Sequence, residues 1–374
     1  RLIKLNRLSS SANLLVLLGI LIIYFLFYWK TEFLTAGFRY FIDDHQIPTI
    51  KHDLEQNGFF NTISAWIEMD RGIPRFRPFY YINLISATAV FQLHAKIWAV
   101  YTCLLASFTT FFLFLFTRLQ GFTISLSLLF AVLTLWGAQA EIWARLSIPE
   151  APGTFFLSLS LVLAVLGTKP SRQSRFLDIF LIVSVLLSSL YKEVFILFIP
   201  ALVAIRIHSY SRLNQVSIYR AIRANWKISA VLLVIAAIET LYIKFFIGTK
   251  ATGYAGFDST NLKLNNLIIT TKTLAQEGLF ELLLISIFLL VVVTLAQRQS
   301  LLNLCKQLLP SAVIFLLIVV PQILIYAKSG IGGYYLVPGI IGFALLTVEV
   351  LNLLQQRLKF LGYIAIALTF SVLL

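Results

Sequence analysis

The sequence predicts an all-α integral membrane protein that crosses the bilayer many times. Of its 374 residues, 59% are hydrophobic and only 12% are charged, and the mean hydropathy is +0.88. A soluble domain of this composition would expose more apolar surface than water tolerates. The apolar residues fall in runs about twenty residues long, the length of a membrane-spanning helix. The short alternating strands of a membrane barrel are absent from the sequence, so we expect helices throughout.

About eleven apolar runs are long enough to be transmembrane helices. We predict a single transmembrane domain, residues 1–374, whose main extracytoplasmic parts are the loops 30–96 and 248–278. Because the last residues lie inside an apolar run, we expect the chain to be a piece of a longer one, in which a soluble domain could follow residue 374. The predicted spans are 13–29, 97–116, 122–138, 151–167, 177–190, 194–207, 228–247, 279–296, 309–327, 337–353 and 359–374.

The distribution of charge predicts the orientation. Arg1, Lys4 and Arg7 precede the first span, which places the N-terminus in the cytoplasm by the positive-inside rule. The predicted inner loops carry Arg and Lys without Asp or Glu, whereas nearly all the acids fall in outer loops. We therefore predict a plasma (inner) membrane protein with extracytoplasmic chemistry. The net charge of +14 then reflects orientation and attraction to anionic membrane lipids, and nucleic acid is not an expected partner.

The first outer loop carries two amphipathic patterns and one short apolar segment. Residues 47, 50 and 54 share one helical face, and a second face follows at residues 60, 63, 66 and 67. We predict two short helices that lie on the membrane surface. Residues 78–93 are apolar but too few to span lipid comfortably, so we predict a helix that dips in from the outer side without crossing.

Asp43 and Asp44 follow the first span and precede the first surface helix. One of these carboxylates could act as a general base, or as a ligand for a divalent cation such as Mg²⁺ or Mn²⁺. The structural alternative is that an Asp at a helix N-terminus caps the helix and suits its dipole. We favour the catalytic interpretation, because one Asp would be enough for a cap.

Arginines and aromatic residues follow at the end of the same loop, at Arg75, Arg77, Tyr80 and Tyr81. Arginine binds phosphate through two parallel hydrogen bonds, and aromatic rings can stack on a sugar or a prenyl chain. The same residue types also form the interfacial belt of any membrane protein. Both interpretations stay open on the sequence.

Three more outer positions place charged or aromatic side chains beside apolar runs. A charge held inside the membrane costs about 3 kcal/mol, so each demands a partner or a role unless it reaches water. Substrate binding is one interpretation; a helix cap, a solvated turn or the interfacial belt is the other. These residues are Arg145 and Glu150 before one span, Lys192 and Glu193 in a tight turn, and Lys328, Tyr334 and Tyr335 before another.

Glu239 is placed near the middle of the predicted span 228–247. An ionisable residue there is a functional hypothesis by default. A protonated, hydrogen-bonded carboxyl group is the structural alternative. The four histidines and two cysteines show no metal-ligand spacing, so we do not predict a zinc site.

The order of these parts resembles the GT-C superfamily of membrane glycosyltransferases. That group includes the dolichyl-phosphate-mannose protein mannosyltransferases, the lipid A aminoarabinose transferases and the catalytic subunit of oligosaccharyltransferase. The N-terminal half resembles the superfamily in its short motifs, and the rest of the chain resembles it mainly in topology. Two departures are that Gly333 stands where members often have Arg, and that the second acidic site is the single Glu150. The matching segments are I-D-D-H-Q, R-F-R-P-F-Y-Y, L-F-T-R-L-Q-G, R-L-S-I-P-E and G-G-Y-Y-L-V-P-G.

The resemblance implies a GT-C-like fold and transfer of a sugar from a polyprenyl-phosphate donor to a glycan, lipid or protein acceptor. Asp43 or Asp44 would be the base and the anomeric centre would invert. Any divalent cation would use Asp44 and Glu150. The loop 248–278, with apolar residues at 264, 267 and 268, would be a lid. The cations expected to bind the phosphate are Arg75, Arg77, Lys192 and Lys328.

Two other classes of function stay open. One is a transporter or flippase of lipid-linked or anionic substrates, supported by Glu239 and by the outer cations. The other is a catalytically inactive GT-C-like subunit that holds together a membrane complex.

Overall fold

The computed structural model describes residues 10–39, 43–72, 75–168, 174–247, 264–327 and 330–358. This described part is helical and contains no strand. Short 3-10 turns occur at Ala138–Ala144, Glu193–Phe198 and Gly333–Tyr335, and a π turn at Ile243–Ile247 extends the tenth helix. The α-helices are α1 (Ser10–Lys30), α2 (Gln46–Asn57), α3 (Phe59–Gly72), α4 (Pro78–Phe91), α5 (Ala95–Leu119), α6 (Ile124–Leu135), α7 (Glu150–Leu166), α8 (Ser174–Tyr191), α9 (Ile199–Asn214), α10 (Ile218–Tyr242), α11 (Leu264–Glu277), α12 (Phe280–Ala296), α13 (Leu301–Tyr326) and α14 (Val337–Arg357).

The prediction of an α-helical membrane protein is confirmed in its general form. Within the described residues, six helices are long and apolar enough to cross a membrane, and up to eight if each bent pair is one span. The bent pairs are α6 with the turn Ala138–Ala144, at 80°, and α11 with α12, at 64°. The number eleven stays a prediction, and its last span, 359–374, lies outside the described residues. The six are Ser11–Lys30, Ala95–Leu119, Glu193–Asn214, Ile218–Ile247, Leu301–Tyr326 and Val337–Arg357.

Local sequence signals fix where several of these helices begin. Thr123 caps α6 by accepting a hydrogen bond from the amide of Leu126 at 3.3 Å. Ser217 caps α10 in the same way, through the amide of Arg220 at 3.4 Å. Proline occupies the first turn of α4, α9 and α14, where its missing N–H costs nothing.

The helix ends meet in two groups, at opposite ends of the bundle. The basic end consists of the C-terminal ends of α5, α7, α9, α12 and α14. There Asn214 donates a hydrogen bond to the carbonyl of Thr168 at 3.4 Å, and Gln297 donates one to the carbonyl of Arg357 at 3.3 Å. At the loop end, Tyr28 of α1 donates to the carbonyl of Trp143 at 2.5 Å. The loops predicted as inner gather at the basic end, and those predicted as outer gather at the loop end.

The short helices of the first loop bury part of their apolar faces against protein, and their position on the membrane surface stays a prediction. Ile47 and Ile50 of α2 are 0% exposed, and Trp66 of α3 is also buried. They pack in one apolar cluster with Leu84 and Ile85 of α4. The reason is that α4 offers an apolar surface that covers their amphipathic faces. Phe59 and Phe60, at the start of α3, are exposed, Phe60 by 81%.

The structure agrees with the expectation that α4 does not cross the membrane. Its 14 residues cover about 21 Å, less than the roughly 30 Å of a bilayer core. Its C-terminal end lies at the start of α5, where the indole of Trp98 donates to the carbonyl of Gln92 at 3.0 Å. Asn83 also bonds the hydroxyl of Tyr101 at 3.2 Å, so α4 runs alongside the first turns of α5.

The predicted lid is only partly described, and its apolar face is not the one that packs. Residues 248–263 lie outside the described part. In α11, Thr270 and Leu274 are buried, whereas Leu264 and Ile268 are exposed. Thr270 donates to the carbonyl of Tyr326 at 3.3 Å and so ties α11 to α13. Of the apolar pattern at 264, 267 and 268, Leu264 and Ile268 therefore face outward and Leu267 is half-buried.

If α2 packs on protein, Ile50→Ala should destabilise the chain by about 2–4 kcal/mol, because it leaves a cavity in a closed cluster. Phe60→Ala, in the same loop, should change stability by less than about 0.5 kcal/mol. Thermal unfolding of both variants in one detergent checks this. Equal and small effects of the two substitutions would show that α2 rests on lipid.

Candidate functional site

Four charged side chains from three separate chain segments act on Asp43 at the loop end. The groups that act electrostatically on its carboxylate are Arg77, Arg145, Glu150 and Lys192. We call these four residues and Asp43 the charged site. Arg77 precedes α4, Arg145 and Glu150 flank the start of α7, and Lys192 lies between α8 and α9. The sequence-predicted candidates at these positions are thus brought together.

Asp43 has the backbone and the environment of a functional carboxylate. Its φ of 63° lies in the left-handed region, which Asp tolerates better than most residues. Burial raises the pKa of Asp43 above its ordinary value, and the charge of Glu150 raises the pKa further. Arg145, Arg77 and Lys192 oppose this rise without cancelling it. The carboxylate is therefore a stronger base than an ordinary Asp.

Asp44 accepts a hydrogen bond from the backbone of the preceding segment. Its side chain is buried, and Oδ2 accepts a hydrogen bond from the amide of Arg39 at 2.7 Å. This contact ties the end of the α1–α2 connection to the start of α2. The N-cap residue of α2 is His45, whose side chain makes no cap hydrogen bond, and the first amides of α2, those of Gln46 and Ile47, donate to the backbone carbonyls of Asp43 and Asp44 at 3.0 and 3.2 Å.

Arg77 is held by an acid that the sequence analysis did not single out. Its guanidinium bonds both oxygens of Asp70, at 2.6 and 3.2 Å, and both side chains are buried. Tyr81 donates to Asp70 at 3.2 Å, and the ring of Tyr80 lies 5.2 Å from the guanidinium carbon. Arg75 also lies close enough to act on the hydroxyl of Tyr81. The predicted cluster of arginines and aromatic residues therefore forms, and its members Arg77, Tyr80 and Tyr81 contact one another or share Asp70 as a partner.

Lys192 and Glu150 form an ion pair that is almost fully buried. The exposed fractions are 2% for Lys192 and 4% for Glu150, and Nζ contacts Oε1 directly. The ring of Tyr335 lies 4.1 Å from Nζ, a cation–π contact. Glu193 is also buried, and its Oε2 has no hydrogen-bond partner, but no described contact joins it to Asp43.

Arg145 is oriented by Glu141 and by Tyr334. It forms an ion pair with Glu141, and the Tyr334 ring lies 4.8 Å from its guanidinium carbon. Gly333 allows this arrangement, because a Cβ there would lie 2.8 Å from the carbonyl oxygen of Ala138 and 2.9 Å from Oε2 of Glu141. The close approach of two backbones thus explains the glycine at this position. The candidate Lys328 lies outside the described residues.

The predicted metal ligands do not fit a divalent cation. Glu150 is engaged by Lys192, and Asp44 by the amide of Arg39. Three cationic side chains surround Asp43 where such an ion would have to sit. No group of three or more His, Cys, Asp or Glu side chains occurs among the described residues. A divalent cation at Asp43 would therefore meet the positive charges of Arg77, Arg145 and Lys192.

Comparisons of this chain with protein-family models, with curated proteins and with solved structures found no match.

Lys192→Met should destabilise the chain by about 3–5 kcal/mol, because it leaves Glu150 buried without its cation. The double variant Lys192→Met with Glu150→Gln should recover most of this loss, since no charge is then left unpaired. Thermal unfolding in detergent measures both. An equal loss in the single and double variants would show that the ion pair is not what Lys192 contributes.

Proposed function

We propose that this chain is a GT-C-type membrane glycosyltransferase that moves a sugar from a polyprenyl phosphate to an acceptor hydroxyl at the extracytoplasmic face. The observation that carries the proposal is Asp43, a carboxylate of raised pKa set among Arg77, Arg145 and Lys192. A base beside several cations is what displacement of a phosphate leaving group requires. The acceptor class, whether glycan, lipid or protein, stays open.

In the proposed reaction, Asp43 accepts the proton of the acceptor hydroxyl. The acceptor oxygen then forms a bond to the anomeric carbon, and the bond from that carbon to the phosphate oxygen breaks. The phosphate leaves with the electron pair, so no strong general acid is needed. Because one base acts and no covalent intermediate forms, the anomeric configuration inverts, by analogy with two-carboxylate hydrolases.

The three cations would stabilise the charge that grows on the leaving phosphate. The ion pair with Glu141 engages one end of the Arg145 guanidinium, which carries five N–H donors in total. Lys192 lies against Glu150 and Tyr335, so its position is fixed before any substrate arrives. Donors fixed in advance are more effective than donors that must reorganise. These contacts support the proposed role without a metal ion.

An aromatic track from the charged site to the lipid-facing surface supports a lipid-linked donor. Phe76, next to Arg77, lies 5.1 Å from the ring of Tyr242, which stacks on Phe246 at 5.4 Å. Phe246 is among the exposed apolar residues near the end of the span Ile218–Ile247. A prenyl chain lying along these rings would bring its phosphate toward Arg77.

Glu239 favours a second candidate, a transporter or flippase. It is buried in α10, where Ser189 donates to Oε1 at 2.8 Å, and Oε2 has no hydrogen-bond partner among the described residues. It lies about 12 Å from the end of the span at Ile247, and its mid-span position stays a prediction. Ser189 also places it near Lys192, which is three positions further along the chain. A scaffold role in a membrane complex is the third candidate, and no contact of the described residues favours it.

Sugar transfer from radiolabelled polyprenyl-phosphate donors, measured in membranes, tests the proposal. Asp43→Asn should reduce transfer by about 10²–10⁴-fold, because the proton acceptor is lost. Glu68→Gln, which removes an exposed carboxylate of α3, is the matched control and should leave transfer unchanged. Glu239→Gln should have little effect.

No transfer by the wild type across a panel of donors would overturn the proposal. Loss of substrate movement across the membrane in Glu239→Gln alone would favour the transporter.

The pH dependence of transfer should show the raised pKa of Asp43. Only the ionised carboxylate accepts a proton, so kcat/KM should fall as pH decreases through that pKa, above the ordinary Asp value of about 4. Arg145→Met should move this acid limb to higher pH, because a cation that favours the carboxylate is removed. Glu150→Gln should move it to lower pH. An acid limb that neither substitution moves would mean that another group is titrating.

A further inference from the structure

A cavity of about 160 Å³ opens beside Asp44 at the loop end. It lies between the connection that follows α1 and the segment 138–146, and Asp44 is adjacent to Asp43 in the chain. Arg145 belongs both to the wall of the cavity and to the charged site. The cavity therefore adjoins the charged site through Arg145 and through the segment that carries Asp43. The side chains that characterise the wall are Phe33, Arg39, Asp44, Glu141, Ala144 and Arg145.

The charges of the cavity wall balance. Two arginines, Arg39 and Arg145, face two carboxylates, Asp44 and Glu141. An anion would meet as much repulsion as attraction in such surroundings, whereas a neutral group rich in hydroxyls would find acceptors on the acids and donors on the arginines. The wall therefore suits a neutral polyol better than a phosphate.

The size and the apolar part of the wall favour a single ring. A cavity of about 150 Å³ in another protein holds one benzene-sized ring. Phe33 supplies an aromatic wall, and its ring is fixed by an edge contact with Tyr28 at 4.8 Å and by the Arg39 guanidinium carbon at 5.7 Å. Ala144 adds a small side chain that leaves room. An aromatic face beside paired polar groups matches a pyranose, which has apolar C–H faces and polar edges.

We propose that this cavity binds the ring of a neutral sugar, with its hydroxyl groups donating to Asp44 and Glu141. This inference rests on the proposed function, in which a sugar ring must lie beside Asp43. The ring could belong to the donor or to an acceptor glycan, and the chemistry of recognition is the same for both.

Saturation-transfer NMR on the full chain in lipid nanodiscs tests the cavity, using neutral methyl hexopyranosides at millimolar concentration and inorganic phosphate as the anionic probe. Ala144→Phe fills the cavity from an exposed position and should weaken sugar binding at least tenfold. Ala65→Phe, at an exposed position of α3, is the matched control and should leave binding unchanged. Glu141→Gln should also weaken binding about tenfold, through loss of a charged acceptor.

Absence of saturable sugar binding, or binding equally strong in Ala144→Phe and the wild type, would overturn the inference. So would binding of phosphate that Ala144→Phe blocks. The source of the ring is resolved with the Asp43→Asn protein, which cannot turn over. Competition by a polyprenyl-phosphate sugar, but not by the polyprenyl phosphate alone, identifies the donor ring. Unchanged binding beside the bound donor identifies an acceptor ring, and both results support a sugar site.

Failure of the inference and failure of the proposed function are distinguishable. If Ala144→Phe blocks sugar binding but the wild type transfers no sugar, the cavity is a sugar site on a protein of another function. If transfer depends on Asp43 while Ala144→Phe changes neither sugar binding nor KM, the enzyme proposal stands and the cavity is not its sugar subsite.

Discussion

The buried ion pair between Lys192 and Glu150 determines the arrangement of the loop end. Each ion would be costly to bury alone, so the first residue of α7 and the break between α8 and α9 must stay together. Tyr335 lies on the same ammonium group, so the turn before α14 is held to the same point. Three chain reversals are thereby fixed around one pair of charges. Asp43 lies within electrostatic range of both members, and its surroundings depend on this pair.

At the basic end of the bundle, ion pairs join one helix to another. Arg206 of α9 forms an ion pair with Asp178 of α8 at 2.7 Å and bonds Asn225 of α10 at 2.9 Å. Arg212 pairs with Glu349 of α14 at 3.0 Å. These acids lie within predicted spans and join one helix to another. At the loop end, by contrast, Asp43 stands on a connecting segment, and the neighbouring Asp44 lines a cavity. Packing of helix against helix accounts for the charges at the basic end, whereas those at the loop end meet on connecting segments and at helix ends.

The hydropathy of the sequence was enough to predict the helices, because a long apolar run has few other stable forms in lipid. A charge beside an apolar run demands a partner or a role, which singled out Arg145 and Lys192. Asp43 was singled out as one of an acidic pair, and Arg77 as one of a cluster of arginines and aromatic residues. These patterns could not choose the partners. Glu150 and Lys192 pair across 42 positions, and only the packing of α7 against α8 brings them together.

Two acids that orient the site, Asp70 and Glu141, were missed for a related reason. Each looks like an ordinary outer carboxylate until the arginine it holds is known. The same limit applies to α2, because an amphipathic pattern shows that one face is buried without showing whether protein or lipid covers it. A signal was available for Glu141, which lies four residues before Arg145 at the spacing of a helical ion pair.

Every described cation in the charged site is paired with a carboxylate, and this affects how tightly the proposed site would bind phosphate before and during the reaction. Arg77, Arg145 and Lys192 each hold a carboxylate already, so a phosphate that bears its ground-state charge would compete with Asp70, Glu141 and Glu150 for the same donors. As the bond to the sugar breaks, charge grows on the phosphate and the competition shifts in its favour. Interactions that strengthen only in the transition state raise the rate, whereas equal binding of ground and transition states does not. A set of paired cations therefore suits the proposed transfer better than bare cations, which would hold substrate and released phosphate tightly.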